Sequence, residues 1–201
     1  MKLIVITTPY FFFGEEKIIT NLFNEGLEIL HLRKPNADPI AYVHLLSLIP
    51  KQYHQKIVVH EHFFLQAKYD LKGIHLNARN KDIPANYSAH ISCSCHSIKE
   101  VQEKKEICDY VFLSPIFDSI SKENYPSGYS SEILRQAVRN GIIDNKVMAL
   151  GGIDSSNMQQ IKDYSFGGAV VLGDLWNKLD FPDRLLQHFK LLQKEALLTR
   201  G

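Results

Sequence analysis

Two basic residues directly follow a short apolar run near the start of the chain, and they could bind a phosphorylated ligand. Arg33 and Lys34 come immediately after the run that ends at Leu32. Two cations at the end of a strand can hold a diphosphate, although a solvated loop is the commoner fate of an Arg-Lys pair. The pair therefore indicates a candidate anion site.

Glycines follow two later apolar runs and could bind a second phosphate. Gly151 and Gly152 follow one run, and Leu172-Gly173 ends the next. Glycine lets backbone N–H groups approach an anion closely, and a helix that begins there adds the positive end of its dipole. The alternative is that these glycines only make tight turns.

Histidines are concentrated at the ends of neighbouring apolar runs, where they could bind a metal ion or a substrate ring. Imidazole suits zinc and other transition metals, but the spacing here matches no closed ligand motif. Taken singly, each is more typical of a hydrogen-bonding or ring-stacking residue. The five are His31, His60, His62, His75 and His96.

The three cysteines are read as structural. In a strand, Cys93 and Cys95 face one side while Ser94 and His96 face the other. If Ser94 faces the interior of a barrel, both thiols face the surrounding helices, where buried cysteine behaves as a small hydrophobe. An odd, sparse cysteine count predicts a reducing compartment, and hence a cytoplasmic protein.

Eight short apolar runs alternate with amphipathic segments, which predicts parallel strands joined by helices. We predict one domain over residues 1–201, an α/β single (β/α)8 TIM barrel, with an open doubly wound sheet as the alternative. The active site is expected on the loops after the strands. The predicted strands are Leu3–Thr7, Leu27–Leu32, Lys56–His60, Gly73–Leu76, His90–Ser94, Tyr110–Leu113, Lys146–Leu150 and Gly168–Leu172. The predicted helices are Glu15–Glu25, Pro39–Ile49, Ser97–Glu106, Ser130–Asn140, Ser155–Tyr164 and Pro182–Leu198.

Composition limits the partners. Lys and Arg total 23 and Asp and Glu total 22 in 201 residues, a balance that argues against binding to nucleic acid or to a membrane surface. The apolar stretch Leu3–Ile6 is too short for a signal peptide or a membrane span. A long polar segment between Ser114 and Gly128 is typical of an active-site lid, or else is an irregular connection.

Several motifs, in this order and spacing, resemble the thiamine phosphate synthases and the related thiazole tautomerases. The resemblance covers residues 3–175. It is carried by Gly73-Ile74-His75-Leu76, Ser94-Cys95-His96, the run Asp109 to Phe117, Ser119-Ile120-Ser121-Lys122, and Ala149-Leu150-Gly151-Gly152-Ile153.

The resemblance implies a reaction that joins hydroxymethylpyrimidine diphosphate to thiazole phosphate with release of pyrophosphate, assisted by Mg²⁺. It implies that Arg33, Ser94 and Lys122 hold the pyrophosphate, with Lys34 nearby. Ser119 and Ser121, with Gly151, Gly152, Leu172 and Gly173, would hold the thiazole phosphate. His31, His60 and His75 would line the substrate pocket, and Glu61 and Asn80 would bind the metal.

Some positions depart from the family pattern. His31 replaces the usual Gln, the second cation has moved by one place, and His60-Glu61 replaces Asn-Asp. Asn80 replaces a metal-binding Asp, which should weaken magnesium binding. Asp174 could cap the helix expected to bind phosphate, and would then compete with the phosphate.

Two other functions therefore stay open. One is a thiazole tautomerase, although that branch carries a histidine where this chain has Pro115. The other is a non-catalytic binder of thiamine precursors, since a fold alone does not establish a function. The assembly is also open, with a homodimer as one form.

Overall fold

The computed structural model describes residues 1–117 and 128–197, which form a closed barrel of eight parallel strands in sequence order. The strands are β1 (Lys2–Ile6), β2 (Ile29–Leu32), β3 (Ile57–Val59), β4 (Gly73–Leu76), β5 (His90–Cys95), β6 (Tyr110–Leu113), β7 (Val147–Leu150) and β8 (Gly168–Val171). The predicted TIM barrel is confirmed, and the open sheet is excluded because β1 pairs with β8.

Helices surround the barrel. They are α1 (Glu15–Asn24), α2 (Pro39–Leu48), α3 (Phe64–Tyr69), α4 (Ile98–Lys104), α5 (Ser131–Arg139), α6 (Met158–Asp163), α7 (Gly173–Trp176) and α8 (Pro182–Leu197), with a 3-10 helix over Lys51–Lys56 before β3. Among the described residues, no helix is long and apolar enough to cross a membrane.

The strands are almost continuously apolar because both of their faces are buried. On β1, Leu3 and Val5 pack against the helices, whereas Ile4 and Ile6 point into the barrel. The same alternation on β5 places Cys93 and Cys95 in the helix-side core, as predicted if Ser94 faces inward. Cys93, Cys95 and Cys108 are all free thiols, and all are buried.

Polar residues replace apolar ones inside the barrel on one group of adjacent strands. His31 on β2, His75 on β4 and Ser92 on β5 are buried there, and His60 directly follows β3. Tyr110 on β6 completes the group and borders the small apolar core of the interior. This polar interior leads to the carboxyl ends of the strands, where the site was expected.

Candidate active site

The three inward-facing histidines contact one another at the centre of the polar interior. Nδ1 of His31 is 2.9 Å from Nε2 of His60, and Nε2 of His31 is 2.6 Å from the Tyr110 hydroxyl. The rings of His60 and His75 are stacked, with centroids 4.1 Å apart. The structure thus brings together three of the five histidines considered in the sequence.

His75 joins this cluster to the mouth of the barrel. Its Nδ1 lies 2.9 Å from the hydroxyl of Ser92, and its Nε2 lies 2.9 Å from the hydroxyl of Ser94. Ser92 is fully buried, whereas Ser94 is only half-buried. Ser94 is therefore the member of this pair that a ligand in the barrel mouth can reach.

Burial keeps the three histidines neutral. It lowers the pKa of His75 to about 3, with the nearby positive charges of His90 and Arg33 acting in the same direction. The pKa values of His31 and His60 are also well below the ordinary value, mainly because of burial. At neutral pH each ring thus carries one N–H donor and one acceptor nitrogen.

The histidines are close enough to suggest a transition metal, because one nitrogen from each lies within 4.8 Å of the others. Ring orientation argues against it. The rings of His60 and His75 are within 21° of parallel, so their in-plane lone pairs cannot converge on one ion. The nitrogens of His31 and His75 are also all hydrogen bonded. A neutral hydrogen-bonded cluster explains the arrangement better.

The other two histidines stay apart from the cluster. Nε2 of His62 is 2.9 Å from the backbone oxygen of Ala37, in the loop after β2. Nδ1 of His96 lies 3.3 Å from both the backbone oxygen and the hydroxyl of Ser114. Both therefore hold loops in place.

Arg33 lies at the mouth, directly after β2. Its backbone N–H donates to the Thr7 hydroxyl over 3.0 Å, and that hydroxyl donates to the Arg33 carbonyl, which fixes the ends of β1 and β2 together. Burial lowers the pKa of the Arg33 guanidinium, Arg79 adds to this effect, and Glu61 opposes it. Two cations and one carboxylate thus share this part of the mouth.

Lys34 points away from Arg33, into the protein. Its ammonium group is fully buried and forms an ion pair with Glu15 at the start of α1. It also donates to the Thr8 hydroxyl and to the Tyr10 carbonyl. All three of its donors are thus used by protein groups, and none remains for a substrate phosphate.

The oxygen atoms of Glu61 and Asn80 have the hard chemistry that Mg²⁺ prefers. Glu61 is already engaged: Oε1 accepts from Arg79 over 2.6 Å and Oε2 accepts from the Tyr42 hydroxyl over 2.7 Å. The side-chain amide of Asn80 donates to the His60 carbonyl. These residues fit a magnesium ion by donor type, but binding at Glu61 requires the partly exposed Arg79 to move away.

The glycine turn after β7 has a backbone conformation that favours glycine. Gly151 and Gly152 have φ angles of 102° and 64°, in the region that favours glycine. A Cβ atom on Gly151 would lie 2.9 Å from Cα of Pro115, so close packing is a second reason for glycine there. Leu172 precedes α7, whose first residue is Gly173.

Asp174 does not turn back onto the end of α7. Its carboxylate Oδ2 lies 2.6 Å from Nε2 of His188, and its Oδ1 is 3.3 Å from the Lys178 ammonium. The expected competition with a phosphate is thus reduced, because this carboxylate contacts His188 and Lys178 and does not cap the start of α7.

A cavity of about 410 Å³ opens on the helix side of β5, beside the barrel mouth. Cys93 and Cys108 form part of its lining, with Lys81 and Lys104 among its charged residues and Ser94 at the boundary with the mouth. It is separate from the histidine cluster, which lies on the other face of β5.

Comparison with known protein families identifies the family of this chain. The model of the family described as thiamine monophosphate synthase matches residues 3–175, nearly the whole barrel. The chain belongs to the thiamine monophosphate synthase family. The family predicted from the sequence motifs is confirmed.

Individual members of this family match the chain along most of their own length. A crystal structure of a thiamine phosphate pyrophosphorylase from Bacteroides thetaiotaomicron is 54% identical, covers all of both chains and has a TM-score of 0.93. A thiamine-phosphate synthase from Clostridium tetani is 23% identical over 82% of each chain. A thiamine phosphate pyrophosphorylase from Pyrococcus furiosus, at 20% identity and a TM-score of 0.74, shares the fold.

The family resemblance also assigned roles to Ser119, Ser121 and Lys122, which lie outside the described residues. Conversely, sequence reasoning missed Ser92, Tyr110, Tyr42 and Arg79. The first two sit in apolar strand patterns and look like packing residues, and Arg79 lies in an irregular loop. The one available signal was position, since Ser92 is two residues before Ser94 and shares its face of the strand.

Proposed function

We propose that this protein is a thiamine phosphate synthase, which joins hydroxymethylpyrimidine diphosphate to thiazole phosphate. The observation that carries the proposal is that two groups of residues suited to binding anions lie at one barrel mouth. Arg33 directly follows β2, and Ser94 lies one residue before the end of β5. The glycine turns follow β7 and β8. Two phosphorylated substrates need two such groups, and the family match supports this pairing.

The reaction breaks the C–O bond between the pyrimidine methylene and the diphosphate. Pyrophosphate leaves with the electron pair, and the thiazole nitrogen donates its lone pair to the resulting carbocation to form the C–N bond. This chemistry depends mainly on stabilising the charge of the leaving group and on positioning both substrates. The mouth supplies cations, hydroxyl groups and glycine turns rather than a strong general base.

Arg33 and Ser94 are the described residues proposed to hold pyrophosphate. The guanidinium can bind two phosphate oxygens at once, and the Ser94 hydroxyl can donate one further hydrogen bond. Lys122 is proposed to add the second direct cation. Lys34 acts only indirectly, because it anchors the segment after β2 to Glu15.

The thiazole phosphate is proposed to bind at Gly151, Gly152 and the Leu172-Gly173 turn, with Ser119 and Ser121 adding hydroxyl groups. Backbone N–H groups at such turns bind phosphate without a side chain in the way. His60 and His75 are proposed to line the pyrimidine pocket. His31 lies fully buried behind them and supports them through its hydrogen bonds.

Magnesium is proposed as the cofactor, held by Glu61 and Asn80 together with the substrate diphosphate. When bound, it would neutralise charge that builds up on the leaving group. In this structure Arg79 forms an ion pair with Glu61 and so places a positive charge where the metal ion would bind. The substrates are small phosphorylated molecules, the three free thiols suit a reducing cytoplasm, and a homodimer stays a prediction.

Detection of the joined product tests the proposal. The purified protein is incubated with both substrates and Mg²⁺, and the products are identified by mass spectrometry, with each component omitted in turn. We expect thiamine phosphate only in the complete mixture. Isomerisation of a thiazole carboxylate phosphate without any joined product would instead assign the chain to the tautomerases.

A further inference from the structure

The barrel mouth holds a second arginine that the sequence motifs did not indicate. Arg79 lies in the loop after β4, and its Nη2 is 2.6 Å from Oε1 of Glu61, which lies two residues after β3. The Arg79 side chain remains 42% exposed although it forms this ion pair. Its guanidinium is therefore held at the mouth and stays open to a ligand.

The order of the strands places Arg79 between the two described residues proposed to hold pyrophosphate. Arg33 follows β2 and Ser94 lies near the end of β5, so β4 stands between these two strands in the closed barrel. The glycine turns follow β7 and β8, which lie on the other side of the barrel. Arg79 thus belongs to the pyrophosphate side of the mouth, away from the turns proposed to hold the thiazole phosphate.

Two asparagines fix the backbone that carries Arg79. Oδ1 of Asn77 accepts from the backbone N–H groups of Arg79 and Asn80, over 3.0 and 3.3 Å. The side-chain amides of both asparagines donate to the His60 carbonyl. The turn after β4 is thus attached to the residue before Glu61, which positions the guanidinium while leaving its N–H groups to other partners.

The charges around Arg79 favour an anion at this place. The guanidinium groups of Arg33 and Arg79 both lie near the carboxylate of Glu61. Burial, and after it the repulsion from Arg79, lower the pKa of Arg33. One carboxylate balances only one of these two positive charges, and a bound diphosphate would compensate the other.

The Arg79 guanidinium also has donors that remain for a ligand. Within residues 1–117 and 128–197, its side chain has one hydrogen-bonding partner, Glu61. A guanidinium carries five N–H donors in a planar fork, so it can bind two phosphate oxygens together. Lys34 differs in this respect, because its ammonium group is buried and its three donors are all used by protein groups.

We propose that Arg79 is a further direct ligand of the substrate diphosphate, beside Arg33, and supplies the cation that Lys34 cannot supply. The proposal rests on the proposed function, because it takes this side of the mouth as the pyrophosphate site. Arg79 pairs with Glu61 in the absence of substrate, and turns to the diphosphate when that carboxylate binds Mg²⁺. The same guanidinium then stabilises the negative charge of the departing pyrophosphate.

Binding of pyrophosphate, measured by calorimetry in excess Mg²⁺, tests the proposal. A direct ligand and a mere partner of Glu61 predict different results for Arg79→Ala. If Arg79 only pairs with Glu61, its removal frees a magnesium ligand, and pyrophosphate should bind equally well or more tightly. If Arg79 is a direct ligand, charge-assisted hydrogen bonds are lost, and we expect binding to weaken about tenfold or more.

Further variants separate a direct contact from any effect that passes through Glu61. In the Glu61→Gln background we expect Arg79→Ala to weaken pyrophosphate binding again by about tenfold, because the lost contact is to the ligand itself. Arg79→Lys keeps the charge but loses the planar fork, and should lose less affinity than Arg79→Ala. Arg135→Ala, which removes an exposed arginine on α5, is the matched control and should bind pyrophosphate as the original protein does.

The two possible failures can be told apart, with thiazole phosphate binding as the measure of an intact fold. Thiazole phosphate should bind Arg79→Ala as it binds the original protein, and an equal loss for both ligands would overturn the role of Arg79. Unchanged or tighter pyrophosphate binding, or a loss that vanishes in the Glu61→Gln background, would overturn that role alone. No pyrophosphate binding by the original protein would contradict the proposed function, and the role of Arg79 with it.

Discussion

At the scale of single residues, Arg33 should dominate charge stabilisation at the mouth. We expect Arg33→Ala to lower kcat/KM by about 100-fold or more, since a fixed donor to the developing charge of the leaving group is lost. Steady-state pyrophosphate release measures this. Arg135→Ala removes an exposed arginine on α5 and should leave activity unchanged. Equal activity of both variants would remove Arg33 from the pyrophosphate site.

Glu61 and Arg79 should act on magnesium in opposite directions. Glu61→Gln should raise the Mg²⁺ concentration for half-maximal activity about tenfold, because a charged ligand is lost. Arg79→Ala should lower it, because the Glu61 carboxylate is freed from its ion pair. A magnesium titration of activity measures both, and an unaltered curve for Glu61→Gln would show that Glu61 is not a ligand.

Residue types in order predicted which strand ends carry chemistry, but not which way each side chain faces. Arg33 and Lys34 are adjacent, so their side chains leave the backbone in different directions, and only one can face the mouth. Lys34 instead forms a buried ion pair with Glu15. Nothing in the sequence indicated that these two residues would pair. Tyr110 and Ser92 likewise gain a role only from neighbours on other strands.

At the scale of elements, the buried Glu15–Lys34 pair joins α1 to the segment after β2. Burial raises the Glu15 pKa to about 7, with Lys34 opposing the rise. The folded state thus binds a proton more tightly than the unfolded one, so this group stabilises the fold below about pH 4.5, and that stabilisation is lost as the pH rises towards 7.

Glu15→Gln should remove this pH dependence. We expect the Tm of the variant, relative to the original protein, to rise between about pH 4.5 and 7, because Gln cannot ionise. Thermal unfolding at several pH values measures it. Glu16→Gln, the same change one position along α1, is the control and should not reproduce the trend. A constant difference in Tm for Glu15→Gln would contradict the account.

Gly151, in the turn after β7, is needed both for its positive φ and for its close contact with Pro115. Gly141, in another loop, shares only the positive φ, so variants at the two positions separate these effects. Gly141 has a φ of 67° with open space around it, so Gly141→Ala should cost only backbone strain. That strain is about 1 kcal/mol, or roughly 3 °C in Tm. Gly151→Ala meets Pro115 as well, so thermal unfolding should show a clearly larger loss. Equal losses would show that contact with Pro115 is unimportant.

Element types were predictable where an apolar pattern is long, and boundaries were less so. Strands β4 and β6 begin and end where predicted, because polar residues flank each short run on both sides. Helix α6 begins at Met158 instead of Ser155, because Asp154 Oδ1 accepts from the N–H groups of Ser156 and Asn157 and forms a turn first. Helix α3 is six residues long, too short for a helical pattern to stand out.

At the scale of the whole molecule, the barrel explains why distant motifs share a site. Eight parallel strands in sequence order bring every carboxyl end to one mouth, so residues from Arg33 to Gly173 meet there. Strand count and alternation predicted this closure. The histidine cluster in the interior could not be predicted, because it depends on the register between strands and on rotamers fixed by packing.

The central claim is that two phosphorylated substrates are joined at this mouth with loss of pyrophosphate. The most direct measurement is the amount of pyrophosphate released when the purified protein is mixed with hydroxymethylpyrimidine diphosphate, thiazole phosphate and Mg²⁺. We predict release in step with product, requiring all three components. Absence of release from protein that binds thiazole phosphate, or release that ignores the thiazole, would contradict the claim.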